Sequence, residues 1–523
     1  MADNENPPTD LPAAPHPDAV GTTEHGAPVP APRKRRVIAA AVAAVVAVGA
    51  IAVGSAGGPA ADMTLVWGTC SPVFEMPEPL QCATLEVPLD HAEPGGKKIS
   101  LALVRLPTEG ARKGILLTNP GGPGGSGLDF MRNAVADLDK EVLLGDFDLV
   151  GFDPRGVGAS SPVVCYEDAD IDEWMYLDDT PDNDTEQALF DKWGEDDTDG
   201  CVAKFGQDLR HYSTEATARV MDLIRAAMGE ETMSFLGISY GTHLGAVYAS
   251  LFPDRVQSMM LDGGYDPEAD TMEEEYLTQA RGFEESFDRW AYWCQEQADS
   301  CAFRSPDVRG AWVDLYDRLD AESIVTTSGR EANHRVLKTA TIAMLYSREA
   351  WPDLGEILSG AADGKGDGIL AAADSFRGRR PDGGWGNDTT AHYVISCSSG
   401  FGETSPPDPA ALLTKLRAAA PWYSMGTEVE DFKDIECDPA YGDGEVFPVS
   451  YAGSSPVVVV GGLRDPATPF RWSEELTARL GPSSRLVSVD ADGHSHIIGS
   501  ECVNSIASRL FNESELPAAG TKC

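Results

Sequence analysis

Ser239 is the residue in this sequence best placed for covalent chemistry. It is the middle residue of Gly-Ile-Ser-Tyr-Gly at 237–241. An apolar run at 233–236 precedes the pattern, and a helix-compatible run at 242–249 follows it. A strand, a tight turn and a helix in this order push the hydroxyl of Ser239 outward, where it can attack a carbonyl carbon. Because the chain has 53 glycines, the pattern also arises by chance, and its partners decide its meaning.

The partners that a nucleophilic serine needs are a histidine base and a carboxylate that orients the base. Asp465 closely follows a run of four valines at 457–460, and His494 lies in a loop after the last apolar run. The order serine, aspartate, histidine is typical of enzymes whose serine occupies a strand-to-helix turn. Taken alone, Asp465 could instead be a turn or helix-capping residue, because it precedes a proline. The combination favours a catalytic triad of Ser239, Asp465 and His494.

The rival to His494 as the base is His496, because the His-Ser-His spacing lets either side chain point inward or lets both bind a metal ion. A metal site would need further ligands nearby, and we therefore predict no metal and no cofactor. His243, one helical turn after the serine, is predicted to be a packing residue. The other histidines are weaker candidates because they do not follow a late core strand: His16, His25, His91, His211, His334 and His392.

Attack on a carbonyl places negative charge on its oxygen, which backbone N–H groups can stabilise. The N–H of Tyr240, at the start of the predicted helix, is one candidate donor. Gly121 and Gly122, in a glycine-rich turn at 119–127, are the others, because their missing side chains let the backbone approach a substrate. A phosphate-binding loop is the competing interpretation, but the turn lacks the sequence spacing of such loops.

The order of apolar runs predicts how these residues are held. Residues 84–106 predict an antiparallel hairpin, and residues 214–228 predict a helix. Buried strands are predicted at 114–118, 147–152, 233–236, 256–263, 456–461 and 484–489. Strands that alternate with helices indicate a mostly parallel, doubly wound α/β sheet. The region 267–447 is helical and irregular, and we expect an α/β-hydrolase fold with a large helical cap domain inserted there.

The N-terminus predicts export. Four basic residues at 33–36 precede an uncharged apolar run, and small residues follow it up to 61, as in a secretory signal. An uncleaved anchor, with membrane attachment through 37–54, is the competing interpretation. Either one places the protein outside the cell or at its surface. The predicted parts are a leader with a basic end (1–36), a signal or anchor (37–61), the first part of the core (62–266), the cap (267–447) and the last part of the core (448–523).

Charge and cysteines agree with that location. With 84 acidic and 40 basic residues, the formal charge is −44, which would repel a nucleic-acid backbone. The 10 cysteines all follow the apolar run, and an even number in an exported chain indicates disulfides. Pairing between consecutive cysteines is our expectation, since each pair would close a short loop: Cys70 with Cys82, Cys165 with Cys201, Cys294 with Cys301, Cys397 with Cys437, and Cys502 with Cys523.

Several of these motifs together resemble one family. The segments 119–127, 153–158, 237–242, 261–263 and 465–469, with the tail from Cys502 to Cys523, are similar to exported actinobacterial α/β-hydrolases of the tripeptidyl aminopeptidase and prolyl aminopeptidase type, which have a TAP-like C-terminal region. The resemblance covers roughly 67–523. It implies a serine peptidase that releases short peptides, often tripeptides, from free N-termini, with the triad at Ser239, Asp465 and His494. Ser495 is a departure, because the family more often has glycine after the histidine.

Three functions are therefore compared. An aminopeptidase needs a carboxylate for the substrate's ammonium group, and the cap offers Glu273, Glu274 and Glu275, although a solvated helix face also explains this run. An exported carboxylesterase or lipase would use the same triad. A non-enzymatic binding protein on a hydrolase scaffold is the third alternative, and an intact triad argues against it.

Overall fold

The computed structural model describes residues 65–71, 76–137, 146–181, 183–196, 199–268, 271–297, 299–401, 408–432, 437–442 and 445–523. The predicted leader (1–36) and the signal or anchor segment (37–61) lie outside these residues. Within the described ranges, no helix is long and apolar enough to cross a membrane.

The central sheet has nine strands in the order β1-β2-β3-β5-β4-β6-β7-β10-β11. Its strands are β1 (Gly68–Thr69), β2 (Gln81–Pro88), β3 (Lys98–Leu106), β4 (Gly114–Asn119), β5 (Phe147–Phe152), β6 (Met233–Ile238), β7 (Val256–Asp262), β10 (Val457–Arg464) and β11 (Ser484–Asp492). A separate antiparallel pair is formed by β8 (Ile324–Val325) and β9 (Glu331–Ala332).

The helices are α1 (Gly127–Asp137), α2 (Asp168–Trp174), α3 (Asp184–Asp196), α4 (Asp199–Phe205), α5 (Thr214–Ala227), α6 (Tyr240–Leu251), α7 (Met272–Glu296), α8 (Val308–Ala321), α9 (His334–Leu345), α10 (Trp351–Ala362), α11 (Asp367–Phe376), α12 (Asp388–Ser398), α13 (Pro409–Ala419), α14 (Phe470–Leu480) and α15 (Glu501–Glu513). Short 3₁₀ helices span Gly206–His211, Pro253–Arg255, Val429–Phe432, Pro439–Tyr441 and Gly481–Ser483.

The pairing of the strands confirms the predicted sheet. β1, β2 and β3 pair antiparallel, as the predicted hairpin requires, and β3 pairs antiparallel with β5. The remaining strands, β5-β4-β6-β7-β10-β11, run parallel. From β4 the chain passes to β5 on one side and then to β6 on the other. Ligands bind in the crevice at such a reversal, beyond the carboxyl ends of the strands, and here the glycine-rich turn and Ser239 both lie there.

Both faces of the sheet are buried, which explains the uninterrupted apolar runs. In β4, Ile115 and Leu117 join one hydrophobic cluster, whereas Leu116 joins a second cluster on the opposite face. Val457 and Val458 in β10 divide in the same way. This alternation is the doubly wound arrangement that the sequence predicts.

The helices α7 to α13 are inserted between β7 and β10. Most of α7 to α11 packs into a cluster of its own, around Phe287, Trp290 and Trp312. By contrast, Val394 and Ile395 in α12 pack into the same cluster as the sheet. The inserted helices are as expected, while the boundaries 267 and 447 of a cap domain stay a prediction.

Disulfides join consecutive cysteines in the structure: Cys70–Cys82, Cys165–Cys201, Cys294–Cys301, Cys397–Cys437 and Cys502–Cys523. Disulfides form and persist in oxidising compartments, so they indicate an exported protein.

Candidate active site

Ser239 occupies the turn between β6 and α6 with an unusual backbone. Its φ of 59° and ψ of −129° lie in a region of backbone conformation that residues other than glycine seldom adopt. The glycines on either side are sterically required. A Cβ on Gly241 would lie 2.6 Å from the carbonyl oxygen of Asn119, and one on Gly237 would collide with the carbonyl of Gly241. The turn therefore has the geometry of a nucleophile elbow.

The glycine-rich turn after β4 packs directly against this elbow. Gly121 has a φ of 99°, and a Cβ there would lie 2.6 Å from the carbonyl oxygen of Ile238 and 2.9 Å from Cβ of Ser239. The backbone of this turn thus approaches the serine as closely as glycine allows.

Of the three N–H groups predicted to stabilise the oxyanion, that of Gly121 is not available. The N–H of Gly121 donates to Oδ1 of Asn119 at 3.1 Å, so it is already occupied. The N–H groups of Gly122 and Tyr240 have no acceptor among the described residues. Sequence reasoning overlooked Asn119, whose side chain closes the turn on itself. The two unoccupied N–H groups can serve a developing oxyanion.

Asp465 and His494, from different ends of the last core segment, are in direct contact. Nδ1 of His494 lies 2.9 Å from each carboxylate oxygen of Asp465. Asp465 lies in the loop after β10, where its Oδ1 also accepts the N–H groups of Ala467 and Thr468 at 2.9 and 2.8 Å. These bonds hold the carboxylate in place. The carboxylate in turn orients the imidazole ring, so that the N–H of Nδ1 donates to Asp465.

The electrostatics of the pair suit a base. Burial disfavours the charged imidazolium, but the Asp465 carboxylate outweighs it, with help from Asp262, and raises the pKa of His494 above its usual value. Nε2 of His494 is buried and has no hydrogen-bond partner among the described residues, Ser239 included. A free Nε2 is the atom that a general base needs, and such hydrogen bonds often tighten only when substrate binds.

Asp262, the last residue of β7, is a positioning residue that sequence reasoning missed. It is 0% exposed, and its Oδ2 accepts three hydrogen bonds from the loop that carries His494: from Ser495 Oγ and His496 N at 2.7 Å, and from Ile497 N at 2.6 Å. The Leu-Asp-Gly motif at 261–263 marked the residue as unusual, because a carboxylate at a buried strand end needs donors. The sequence could not show which loop supplies them.

The two other histidines near the site have different surroundings. His496 is buried, its ring packs against Gly462, and its Nε2 has no partner within the described ranges. His243 is enclosed by the rings of Tyr240, Tyr265 and Phe401, and burial lowers its pKa to about 3. A histidine that stays neutral among aromatic rings is a packing residue, as expected.

Inserted helices supply one wall of the site. The carbonyl of Tyr346, at the end of α9, accepts a hydrogen bond from the N–H of His494 at 2.7 Å, and the two rings meet edge to face with centroids 5.4 Å apart. The ring of Phe376, the last residue of α11, packs against the ring of Tyr346, with centroids 5.5 Å apart. The described residues place no group of three metal-ligating side chains at Ser239.

A serine on a strained strand-to-helix turn, a buried Asp-His pair and two unoccupied N–H groups define a serine hydrolase of the α/β-hydrolase fold. A family model described as "alpha/beta hydrolase fold" matches residues 114–351, and one described as "TAP-like protein" matches residues 435–523. The matches, together with relatives that are at least 30% identical over most of the chain, show that it belongs to the α/β-hydrolases with a TAP-like C-terminal region.

Three relatives align over most of their length. The chain is 33% identical over 476 residues to "Serine protease Hip1" of Mycobacterium tuberculosis, which covers 87% of this chain and 90% of that protein. It is 34% identical over 464 residues to "Carboxylesterase B" of the same species, covering 85% and 86%. It is 30% identical over 446 residues to "Tripeptidyl aminopeptidase" of Streptomyces lividans, covering 83% and 82%. The relatives thus include peptidases and an esterase at similar identity.

Proposed function

We propose that the protein is an exported serine aminopeptidase that releases short peptides, tripeptides above all, from free N-termini through an acyl-enzyme on Ser239. The observation that carries the proposal is the contact of His494 with both oxygens of Asp465 at 2.9 Å, in the chain order that the elbow serine requires. The tripeptidyl aminopeptidase relative supports a peptide substrate with a free amine.

The chemistry follows from the positions of these groups. Ser239 Oγ attacks the scissile carbonyl carbon while Nε2 of His494 takes the hydroxyl proton, and Asp465 stabilises the imidazolium that forms. The N–H groups of Tyr240 and Gly122 stabilise the oxyanion. As the C–N bond breaks, His494 returns the proton to the departing amine. Water, activated by the same histidine, then releases the peptide from Ser239.

We assign recognition of the substrate ammonium group to Glu275 among the three cap glutamates. Oε1 of Glu275 accepts a hydrogen bond from the Tyr265 hydroxyl at 2.6 Å. The N–H of Tyr265 donates to Oγ1 of Thr242 at 2.8 Å, and Thr242 donates to the carbonyl of Ser239 at 2.6 Å. Glu275 is therefore connected to the elbow. Glu273 forms an ion pair with Lys415.

A carboxylesterase is the second candidate, and the "Carboxylesterase B" relative favours it. The experiment that separates the two compares kcat/KM on tripeptide anilides with a free N-terminus, the same anilides N-acetylated, and short acyl esters. The aminopeptidase proposal expects the free peptide to be cleaved at least ~100-fold faster than the acetylated one, because the acetylated peptide has no ammonium group to pair with the half-buried Glu275 carboxylate. Equal rates on free and acetylated peptides, with faster ester cleavage, would favour the esterase.

A further inference from the structure

Outside the active site, three aspartates surround one fully buried histidine. Asp178 and Asp179 lie between α2 and α3, Asp320 lies in the last turn of α8, and His334 is the first residue of α9. The side chain of His334 is 0% exposed, while the aspartates are partly exposed. Three separate parts of the chain therefore meet at one imidazole ring.

The two ring nitrogens of His334 have different environments. Nε2 lies 2.6 Å from Oδ1 of Asp179 and is hydrogen-bonded to it. Nδ1 lies 3.2 Å from Oδ1 of Asp320, but the two atoms are not aligned for a hydrogen bond, and Nδ1 has no hydrogen-bond partner among the described residues. A buried nitrogen that faces a carboxylate without a hydrogen bond calls for a physical reason.

Protons do not supply one. The N–H of a protonated Nδ1 and the lone pair of a neutral Nδ1 have the same direction, and it points beside Oδ1 of Asp320 rather than at it. The hydroxyl of Thr180 has a single proton, yet it lies 2.5 Å from Oδ1 of Asp320 and 3.2 Å from Oδ1 of Asp178. The backbone N–H of Thr180 also donates to Oδ1 of Asp178 at 2.9 Å, yet three carboxylates still face this one imidazole ring. Carboxylate and imidazole groups are the side chains that commonly bind divalent metal ions.

We propose that Asp178, Asp320 and His334 bind a divalent transition-metal cation, Zn²⁺ or Mn²⁺. One ligand atom from each residue can be chosen so that all three lie within 4.8 Å of one another. This limit is slightly wider than the separation of about 4.0–4.4 Å between two ligands on opposite sides of an ion that is bound at about 2.0–2.2 Å. In this site Nδ1 of His334 would bind the cation, while Nε2 donates its proton to Asp179. A metal-bound imidazole commonly donates its other N–H to a carboxylate in this way. The imidazole ligand favours Zn²⁺ over Ca²⁺, and the two carboxylate ligands also suit Mn²⁺.

The cation would join the segment 178–180 to the helices α8 and α9. The far end of α9 carries Tyr346, whose carbonyl accepts the N–H of His494. The bound ion therefore stabilises the wall that contacts the base and takes no part in the bond-making steps. Its removal lowers thermal stability and leaves Ser239 reactive.

The test uses the full chain after removal of metal by a chelator, titrated with Zn²⁺, Mn²⁺ and Ca²⁺ by calorimetry and thermal unfolding. We expect one equivalent of Zn²⁺ or Mn²⁺ to bind and to raise the unfolding temperature by a few degrees, with weaker binding of Ca²⁺. Asp320→Asn and Asp178→Asn each weaken binding at least ~10-fold. Asp314→Asn, on the exposed side of α8, is the matched control and binds as the wild type does.

A second measurement needs no variant. Wild-type protein loaded with Co²⁺ is expected to show one strongly shifted, exchangeable imidazole proton by NMR, from Nε2 of His334. Three results would each overturn the proposal: no binding of Zn²⁺ or Mn²⁺ at millimolar concentration, unchanged binding in both folded asparagine variants, or bound Co²⁺ without a shifted imidazole proton.

Discussion

The main-chain carbonyl of Asp262 accepts a hydrogen bond from the backbone N–H of Ser239 at 2.9 Å. The carboxylate of the same residue holds the loop that carries His494. One residue at the end of β7 therefore joins the nucleophile turn to the base loop. Because both links run through Asp262, the end of β7 helps to set the relative position of serine and histidine.

Asp262 is expected to control both stability and the base. In Asp262→Ala the Ser495 hydroxyl and two buried N–H groups lose their acceptor, which lowers the free energy of unfolding by about 3 kcal/mol or more, at about 1–3 kcal/mol for each unpaired group. Asp262→Asn keeps an oxygen but removes the smaller of the two negative charges' contributions to the raised pKa of His494, the larger being that of Asp465. The acid limb of kcat/KM should therefore move to slightly lower pH. Urea unfolding and pH profiles measure the two effects. An unmoved limb in a folded Asp262→Asn variant would contradict the second.

His494, and not His496, is expected to be the base. His494→Gln should lower kcat by about 10⁴–10⁶-fold, the range found when a member of such a triad is lost. His496→Gln keeps the backbone N–H that donates to Asp262 and removes a buried ring whose Nε2 has no hydrogen-bond partner among the described residues. Its kcat should stay within ~10-fold of the wild type. Steady-state kinetics of both variants, after circular dichroism has shown that they are folded, provides the comparison. A large kcat loss in His496→Gln alone would reverse the assignment.

The raised pKa of His494 has opposite effects on activity and stability. A base must be neutral, so kcat/KM should rise with pH through a pKa above the ordinary value of about 6.5. The protonated form is stabilised by folding, so its contribution to the free energy of unfolding is fully present below pH ~6.5 and is lost as pH rises through the folded pKa. The difference in unfolding free energy between wild type and His494→Gln, measured from pH 5 to 9, isolates this contribution. A difference that grows with rising pH would contradict it.

Gly121→Ala tests the turn beside the serine. The new Cβ would lie 2.6 Å from the carbonyl oxygen of Ile238 and 2.9 Å from Cβ of Ser239, so the turn must shift and take the Gly122 donor with it. We expect kcat to fall by about 10²–10³-fold, the usual cost of losing an oxyanion donor. Gly95→Ala is the matched control, because nothing lies within 4 Å of a Cβ there. Equal activity of the two variants would show that the turn does not serve the oxyanion.

Glu275→Gln tests recognition of the amine. If Glu275 binds the ammonium group, the variant should raise KM for free tripeptide anilides at least ~10-fold and leave the cleavage of short acyl esters unchanged. Glu274→Gln is the control, since Glu274 is an exposed neighbour in the same helical turn. A parallel loss on peptides and esters in Glu275→Gln would mean that Glu275 supports the elbow through Tyr265 instead.

The sequence predicted the sheet because strands buried on both faces leave uninterrupted apolar runs, as in β4, β5 and β10. It predicted roles for Ser239, Asp465 and His494 because each closely follows such a run, and the structure brings Asp465 and His494 into contact. It did not reveal that Asn119 occupies the N–H of Gly121, or that Asp262 holds the base loop, because both depend on contacts between segments far apart in the chain. The surroundings of His334 were missed for the same reason.

The acyl-enzyme itself is the most direct test of the account. A tripeptidyl 4-nitrophenyl ester with a free N-terminus is mixed with the enzyme and quenched in acid within the first turnover, and the digested protein is analysed by mass spectrometry. The account predicts one tripeptidyl group on the peptide that contains Ser239, none in Ser239→Ala, and much less from the N-acetylated ester. An adduct on another residue, or equal labelling by the free and acetylated esters, would contradict it.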